Sequence, residues 1–165
     1  MRLFFAIWPP ADAAQALAQW AGEVHALSGG RRTTVGNIHL TLSFLGRAEP
    51  AKAIAAAKRV MGAPHRLPIE HARHVSRMIW VAPRETPAPL ASLHRALAIE
   101  LYREEFILER RPFAAHVTLI RDARGAVLPA LPAIDWPVSE FVLVRSSLSR
   151  RGPSYEVIER FQLAH

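Results

Sequence analysis

The sequence predicts an α+β fold of two similar lobes around one cleft, on three observations. A short motif occurs twice, as His39-Leu40-Thr41-Leu42 and, 77 residues later, as His116-Val117-Thr118-Leu119. Each copy lies in an apolar run of strand character, so its His and Thr share one face and its aliphatic residues take the other. Between such runs, apolar residues recur at three- and four-residue steps, the spacing of helices that back a sheet.

Residues 2 to 8 form the first predicted strand. The opening Met1-Arg2-Leu3-Phe4-Phe5-Ala6-Ile7-Trp8 has the look of a short signal peptide, but Pro9-Pro10 and Asp12 cut the apolar stretch short. Asp12 is placed to cap a helix with Leu17, Trp20, Ala21, Val24 and Leu27 on its apolar face, stopped by Ser28-Gly29-Gly30. Arg31-Arg32-Thr33-Thr34 leads into the first motif strand, near 38–45. Pro50 opens a second helix, with Ile54, Ala57, Val60 and Met61 on one side and Pro64 as its end. Strands near 67–73 and 77–82 follow. The proline-rich stretch 83–89 is the expected crossover. Leu90, Leu93, Leu97 and Leu101 mark a third helix to about Glu105. The second motif strand is near 115–121, and 122–137 reads as a loop with at most a turn of helix. A strand at 140–145, a basic loop from Ser146 to Ser154 and a last strand at 155–163 complete a single domain over 1–165.

Composition narrows the function. The chain is 50% hydrophobic, enough for a core, and carries a net charge of +7, nearly all from arginine. That balance favours anionic partners, and the planar guanidinium suits phosphate oxygens. The absence of cysteine removes disulfides, thiolate metal sites and a cysteine nucleophile. No segment is long and apolar enough for a membrane span. A cytoplasmic monomer without membrane contact is the expectation.

Two histidines on facing strands can serve one phosphate. A neutral imidazole takes a proton from a nucleophile, and a protonated one gives a proton to the leaving oxygen. In-line displacement needs those groups on opposite sides of phosphorus. Thr41 and Thr118 lie two residues along on the same faces and can donate to non-bridging oxygens. Strict alternation also puts Ser43 on the cleft face, Phe44 on the helix side and Arg121 away from His116. Arg150 and Arg151, like Arg31 and Arg32, are placed either to meet RNA phosphate or to lie in solvated loops. His65, His71 and His74 lack an acidic or cysteine partner for a metal, and no phosphate-binding glycine loop is present. The chemistry calls for no cofactor and no metal.

The stretches Asn37-Ile38-His39-Leu40-Thr41-Leu42-Ser43-Phe44-Leu45-Gly46 and Phe113-Ala114-Ala115-His116-Val117-Thr118-Leu119-Ile120-Arg121 resemble the two-histidine phosphoesterases, in particular the LigT/ThpR-like RNA 2′,3′-cyclic phosphodiesterases, also called 2′-5′ RNA ligases. The resemblance extends to Arg2-Leu3-Phe4-Phe5-Ala6-Ile7, Leu143-Val144-Arg145-Ser146-Ser147-Leu148, Gly152 and Tyr155. It implies two pseudo-symmetric lobes, each an antiparallel sheet backed by helices, with the motif strands lining a central groove. It implies His39 and His116 as the catalytic pair and Thr41 and Thr118 as phosphate-binding. It adds a site-edge role for Arg121 and allows Phe44 to stack on a base. The implied reaction opens a 2′,3′-cyclic phosphate at an RNA end to a 2′-phosphomonoester, with reversible 2′-5′ RNA ligation beside it. By analogy His39 is the acid at the 3′ oxygen and His116 the base for water. Two departures stand out. Ala115 replaces the family's usual proline, and Val35-Gly36-Asn37 replaces Pro-Glu-Asn, which predicts a looser turn. The alternatives are a module that binds RNA ends without cutting them and a phosphodiesterase for small cyclic nucleotides.

Overall fold

The computed structural model describes residues 1–164. Its strands are β1 (Arg2–Ile7), β2 (Arg31–Arg32), β3 (Leu40–Arg47), β4 (His65–Arg66), β5 (His71–Val75), β6 (Met78–Ala82), β7 (Val117–Arg121), β8 (Pro137–Val138), β9 (Glu140–Ser149) and β10 (Gly152–Gln162). The helices are α1 (Ala11–Ser28), α2 (Pro50–Lys58) and α3 (Ala88–Arg103). One four-stranded sheet has the order β10-β9-β1-β3, the other β2-β7-β6-β5, and β4 and β8 form a two-stranded ribbon. Every pairing is antiparallel. The result is the α+β arrangement of two helix-backed lobes about a groove.

The run 2–7 is apolar because β1 is flanked on both sides, by β9 and β3. Its alternate residues serve two different layers. Leu3, Phe5 and Ile7 enter the main core, whereas Phe4 and Ala6 join Val142 and Val144 in a small cluster on the opposite face. Trp8 and Tyr155 pack on that second cluster, which forms the groove side of the sheet.

The helices tie the lobes together. α1 leaves the first sheet but packs against β2 and β7 of the second, while α3 leaves the second and packs against α2 and β3 of the first. Leu90, Leu93, Leu97 and Leu101 are all buried along α3. One continuous apolar cluster therefore includes residues of both sheets and all three helices. No helix is long and apolar enough to cross a membrane among the described residues.

Several boundaries differ from the sequence expectation. Asp12 does not cap α1. The cap position is Pro10, without a side-chain hydrogen bond, and Asp12 lies in the first turn, where its charge suits the helix dipole. Leu27 is exposed at the last turn of α1. α2 ends at Lys58, so its buried face is Ala53, Ala56 and Ala57, and Met61 is 88% exposed. Arg31–Arg32 crosses to the second sheet and pairs with β7. The segment 122–137 forms no helix. The expected basic loop from Ser146 to Ser154 is instead a long hairpin: β9 continues to Ser149 and β10 begins at Gly152, leaving Arg150-Arg151 as the turn. Polar residues occupy those strand ends because the hairpin projects beyond the core.

Candidate active site

β3 is the edge strand of its sheet, and β7 is covered only by the two residues of β2. These two motif strands run side by side along the seam, with Cα atoms within 8 Å. Both histidines stand one residue before their strands begin.

The backbone fixes each imidazole in the same way. His39 Nδ1 lies 2.7 Å from the Asn37 carbonyl, and His116 Nδ1 lies 2.9 Å from the Ala114 carbonyl. A carbonyl only accepts, so Nδ1 carries the hydrogen in both rings and Nε2 is left to exchange protons. Each ring also lies flat on an indole. His39 stacks on Trp8 at 4.7 Å between centroids, and His116 on Trp80 at 3.8 Å. An aromatic face fixes the ring plane and tolerates the imidazolium charge. Phe4 and Tyr155 enclose His39 further, at 5.2 and 5.3 Å.

The turn before His39 is not loose. Val35–Asn37 closes as a single 3-10 turn, with Asn37 N donating to the Thr34 carbonyl at 2.8 Å. Trp8 Nε1 donates to the Gly36 carbonyl at 2.8 Å, so the stacking indole also braces the turn that holds His39.

The two halves differ in their threonines. Thr41 Oγ1 lies 3.1 Å from His39 Nε2, the geometry of a hydroxyl donating to a neutral ring. Thr118 pairs across the sheet with Trp80, which places it on the face where Trp80 meets His116. Its carbonyl accepts from Thr33 Oγ1 at 2.9 Å, which ties the motif strand to the end of β2.

Electrostatics join the halves. His39 is held below the ordinary histidine value, first by burial and then by the charges of Arg121 and His116, with the Asn37 carbonyl opposing them. Arg121 also opposes the upward push of burial on the Tyr155 phenol. One guanidinium thus acts on two groups of the other lobe, and the two histidines feel one another.

Two bulges explain where simple alternation fails. In β3 the pairs Thr41–Ala6 and Ser43–Phe5 skip Leu42, and Phe44 then pairs with Phe4. Each added residue reverses the phase of a strand. Ser43 therefore shares the helix-side face of Phe5, and Phe44 joins Phe4 on the groove face, the reverse of both expectations. Phe44 is 65% exposed, 5.7 Å from the Phe4 ring. In β7 the pairs Trp80–Thr118 and Ile79–Ile120 skip Leu119. Ile120 turns into the core and Arg121 comes round to the face of His116 and Thr118, which strict alternation denied it.

Of the other candidates, Arg31 pairs across the sheet with Arg121 and so shares its face. Arg150 and Arg151 sit at the exposed hairpin tip. Arg31 pairs with Asp122 at 2.9 Å. Arg32 and Thr33 line a hollow of about 480 Å³ against α1 that contains neither motif histidine. No three His, Asp or Glu side chains come together as metal ligands among the described residues. The residues that sequence reasoning missed are Trp8 and Trp80. Trp80 was legible in principle, as the one indole in the middle of an apolar strand. Trp8 ends β1 and gives no such signal.

Residues 7–78 match the model of the LigT-like phosphoesterases. The chain is 35% identical to the RNA 2′,3′-cyclic phosphodiesterase of Escherichia coli K12, over 98% of this chain and 96% of that protein. It is 34% identical to the protein of the same description from Thermus thermophilus, over 99% and 90%. The crystal structure of E. coli LigT complexed with 3′-AMP superposes with a TM-score of 0.91 at 32% identity, over 99% and 98% of the two chains.

Proposed function

The chain belongs to the LigT-like phosphoesterases, and from that premise we propose that it hydrolyses the 2′,3′-cyclic phosphate of RNA ends to a 2′-phosphomonoester, with His39 and His116 as its proton-transfer pair. The observation that carries this reading is the matched anchoring of the two imidazoles. Each has its Nδ1 engaged by a carbonyl two residues back and its face on a tryptophan, which leaves two Nε2 atoms at one seam.

In the proposed step, His116 Nε2 takes a proton from water as the water oxygen bonds to phosphorus. The bond from phosphorus to O3′ breaks on the opposite side, and His39 gives its Nε2 proton to that oxygen. The product is a 2′-phosphate with a free 3′ hydroxyl. Thr41, Thr118 and Arg121 hold the charge on the non-bridging oxygens. His39 parts with its proton readily because burial, Arg121 and His116 all disfavour the charged ring. A phosphate between the lobes acts in the opposite sense, so anion binding loads the proton that the leaving oxygen later receives. With a ribose 5′ hydroxyl in place of water, the same groups in the same roles join a 2′-5′ linkage, and the reverse step, with the roles exchanged, cleaves it. The E. coli LigT structures with 3′-AMP, ATP, NADP+ and phosphate support a nucleotide-like ligand for this groove.

The test is incubation with an oligoribonucleotide ending in 2′,3′-cyclic phosphate, in the presence of EDTA. The expected product is the 2′-phosphate alone. His39→Ala and His116→Ala each lower kcat by roughly 10²–10⁴, the usual worth of one acid or base group. A substrate with an activated 3′ leaving group restores turnover to His39→Ala more than to His116→Ala. A 3′-phosphate product, or full activity in either variant, refutes the proposal.

A further inference from the structure

The groove face of the second sheet continues beyond His116. Thr118 pairs with Trp80, and Trp80 pairs with Arg73. Residues paired across antiparallel strands point to the same side, so these three form a row over β7, β6 and β5. At ~4.5–5.5 Å per step, the row reaches roughly 10 Å outward from Thr118. It runs into a cavity of about 160 Å³ whose walls include Trp80, Arg73, His71, Arg84 and Ala114. Ala114 is the residue whose carbonyl anchors His116, so this cavity and the imidazole share a wall.

The cavity has a definite chemistry. No acidic side chain lines it. Arg73 and Arg84 form no ion pair among the described residues, whereas Arg31, Arg59, Arg66, Arg145 and Arg160 each have an acidic partner. Glu70, the acid beside them, uses its Oε1 to accept from the Arg84 backbone N–H at 3.0 Å. Trp80 Nε1 and His71 Nδ1 are shielded from solvent with no hydrogen-bond partner. Two uncommitted guanidiniums and two unpartnered ring nitrogens, one step from the reacting phosphate, suit a second anion.

We infer that this cavity is the subsite for the phosphodiester on the 5′ side of the terminal nucleoside, so that the protein acts on RNA chains in preference to free cyclic nucleotides. The inference rests on the hydrolysis proposed above. A cyclic phosphate closes the 2′ and 3′ oxygens, so the rest of an RNA chain leaves only through O5′. Its first phosphate therefore lies one nucleoside away from the reacting phosphorus, an offset comparable to the row from Thr118 to Arg73. A nucleoside 2′,3′-cyclic phosphate with a free 5′ hydroxyl has nothing to place there.

The experiment compares kcat/KM for adenosine 2′,3′-cyclic phosphate with that for a short oligoadenylate ending in the same group, for wild type, Arg84→Ala and the double variant Arg73→Ala/Arg84→Ala. Wild type favours the oligonucleotide. The double variant lowers kcat/KM for the oligonucleotide about tenfold or more, as expected for lost charge-assisted contacts, chiefly through KM. It leaves the mononucleotide rate within about twofold, and Arg84→Ala falls between. The slope of log kcat/KM against log salt for the oligonucleotide shallows by roughly 0.7 for each phosphate contact removed. Equal losses on both substrates, or no loss on either, overturn the subsite while the hydrolysis stands. Absence of wild-type turnover on both substrates overturns the hydrolysis, and the subsite with it.

Discussion

His39 and His116, the proposed proton-transfer pair, are each held by neighbours that take no part in the proposed step. A carbonyl two residues back fixes the tautomer, and an indole fixes the ring plane. The carbonyl arrangement follows from the His standing one residue before its strand, where the chain is extended and the side chain can fold back. Burial gives His39 a further, measurable property. Its folded-state proton affinity lies below that of the unfolded chain, so the unfolded state binds the proton more readily at acid pH. The associated stability is present above the ordinary histidine value of 6.5 and is lost as pH falls below it. The difference in unfolding free energy between wild type and His39→Gln should therefore shift against wild type from about pH 7.5 to about pH 5. A difference that is flat over that range contradicts the burial argument. The matching of His39 with His116 and of Thr41 with Thr118 as candidates was legible in the sequence, because the motif is written twice. The indole partners were not, since stacking joins residues 31 to 36 positions apart and no local pattern announces it.

At the scale of elements, the two bulges decide which side chains enter the groove. Helix α3 was readable nearly to its ends because four leucines repeat on one face. The motif strands were readable as strands but not in phase. Leu42 and Leu119 are both buried and look like ordinary alternating residues, yet each is the extra one. Whether a strand bulges depends on its partner's register, which the strand's own sequence does not contain. That is why Ser43, Phe44 and Arg121 were assigned to the wrong faces. The connection into β2 presses on the same strand. Gly30 has φ 92°, and a Cβ there would collide with the Arg121 carbonyl oxygen. Gly30→Ala must move β2 or the end of β7. It should cost roughly 1–3 kcal/mol or more in denaturant unfolding, and it should lower kcat/KM by displacing Arg121. Unchanged stability would mean that β2 floats free of β7.

For the whole molecule, the lobes share one core although they carry separate sheets. α1 and α3 each cross from the sheet they leave to the sheet they cover, so neither sheet can shed its helices alone. Unfolding in urea should follow a single transition, coincident by far-ultraviolet dichroism and tryptophan fluorescence. Two separated transitions would show lobes that fold independently. A shared core also keeps the two motif strands in fixed register across the seam, as the central claim requires. One phosphate must be addressed from both sides by imidazoles anchored in different lobes.

The most direct measurement is a crystal structure with the product, a nucleoside 2′-monophosphate, bound in the groove. One phosphate is expected there, with oxygens within about 2.6–3.2 Å of both Nε2 atoms, His39 on the side of the 3′ hydroxyl and His116 on the other. A phosphate held by a single histidine, or seated away from the seam between β3 and β7, would contradict that arrangement.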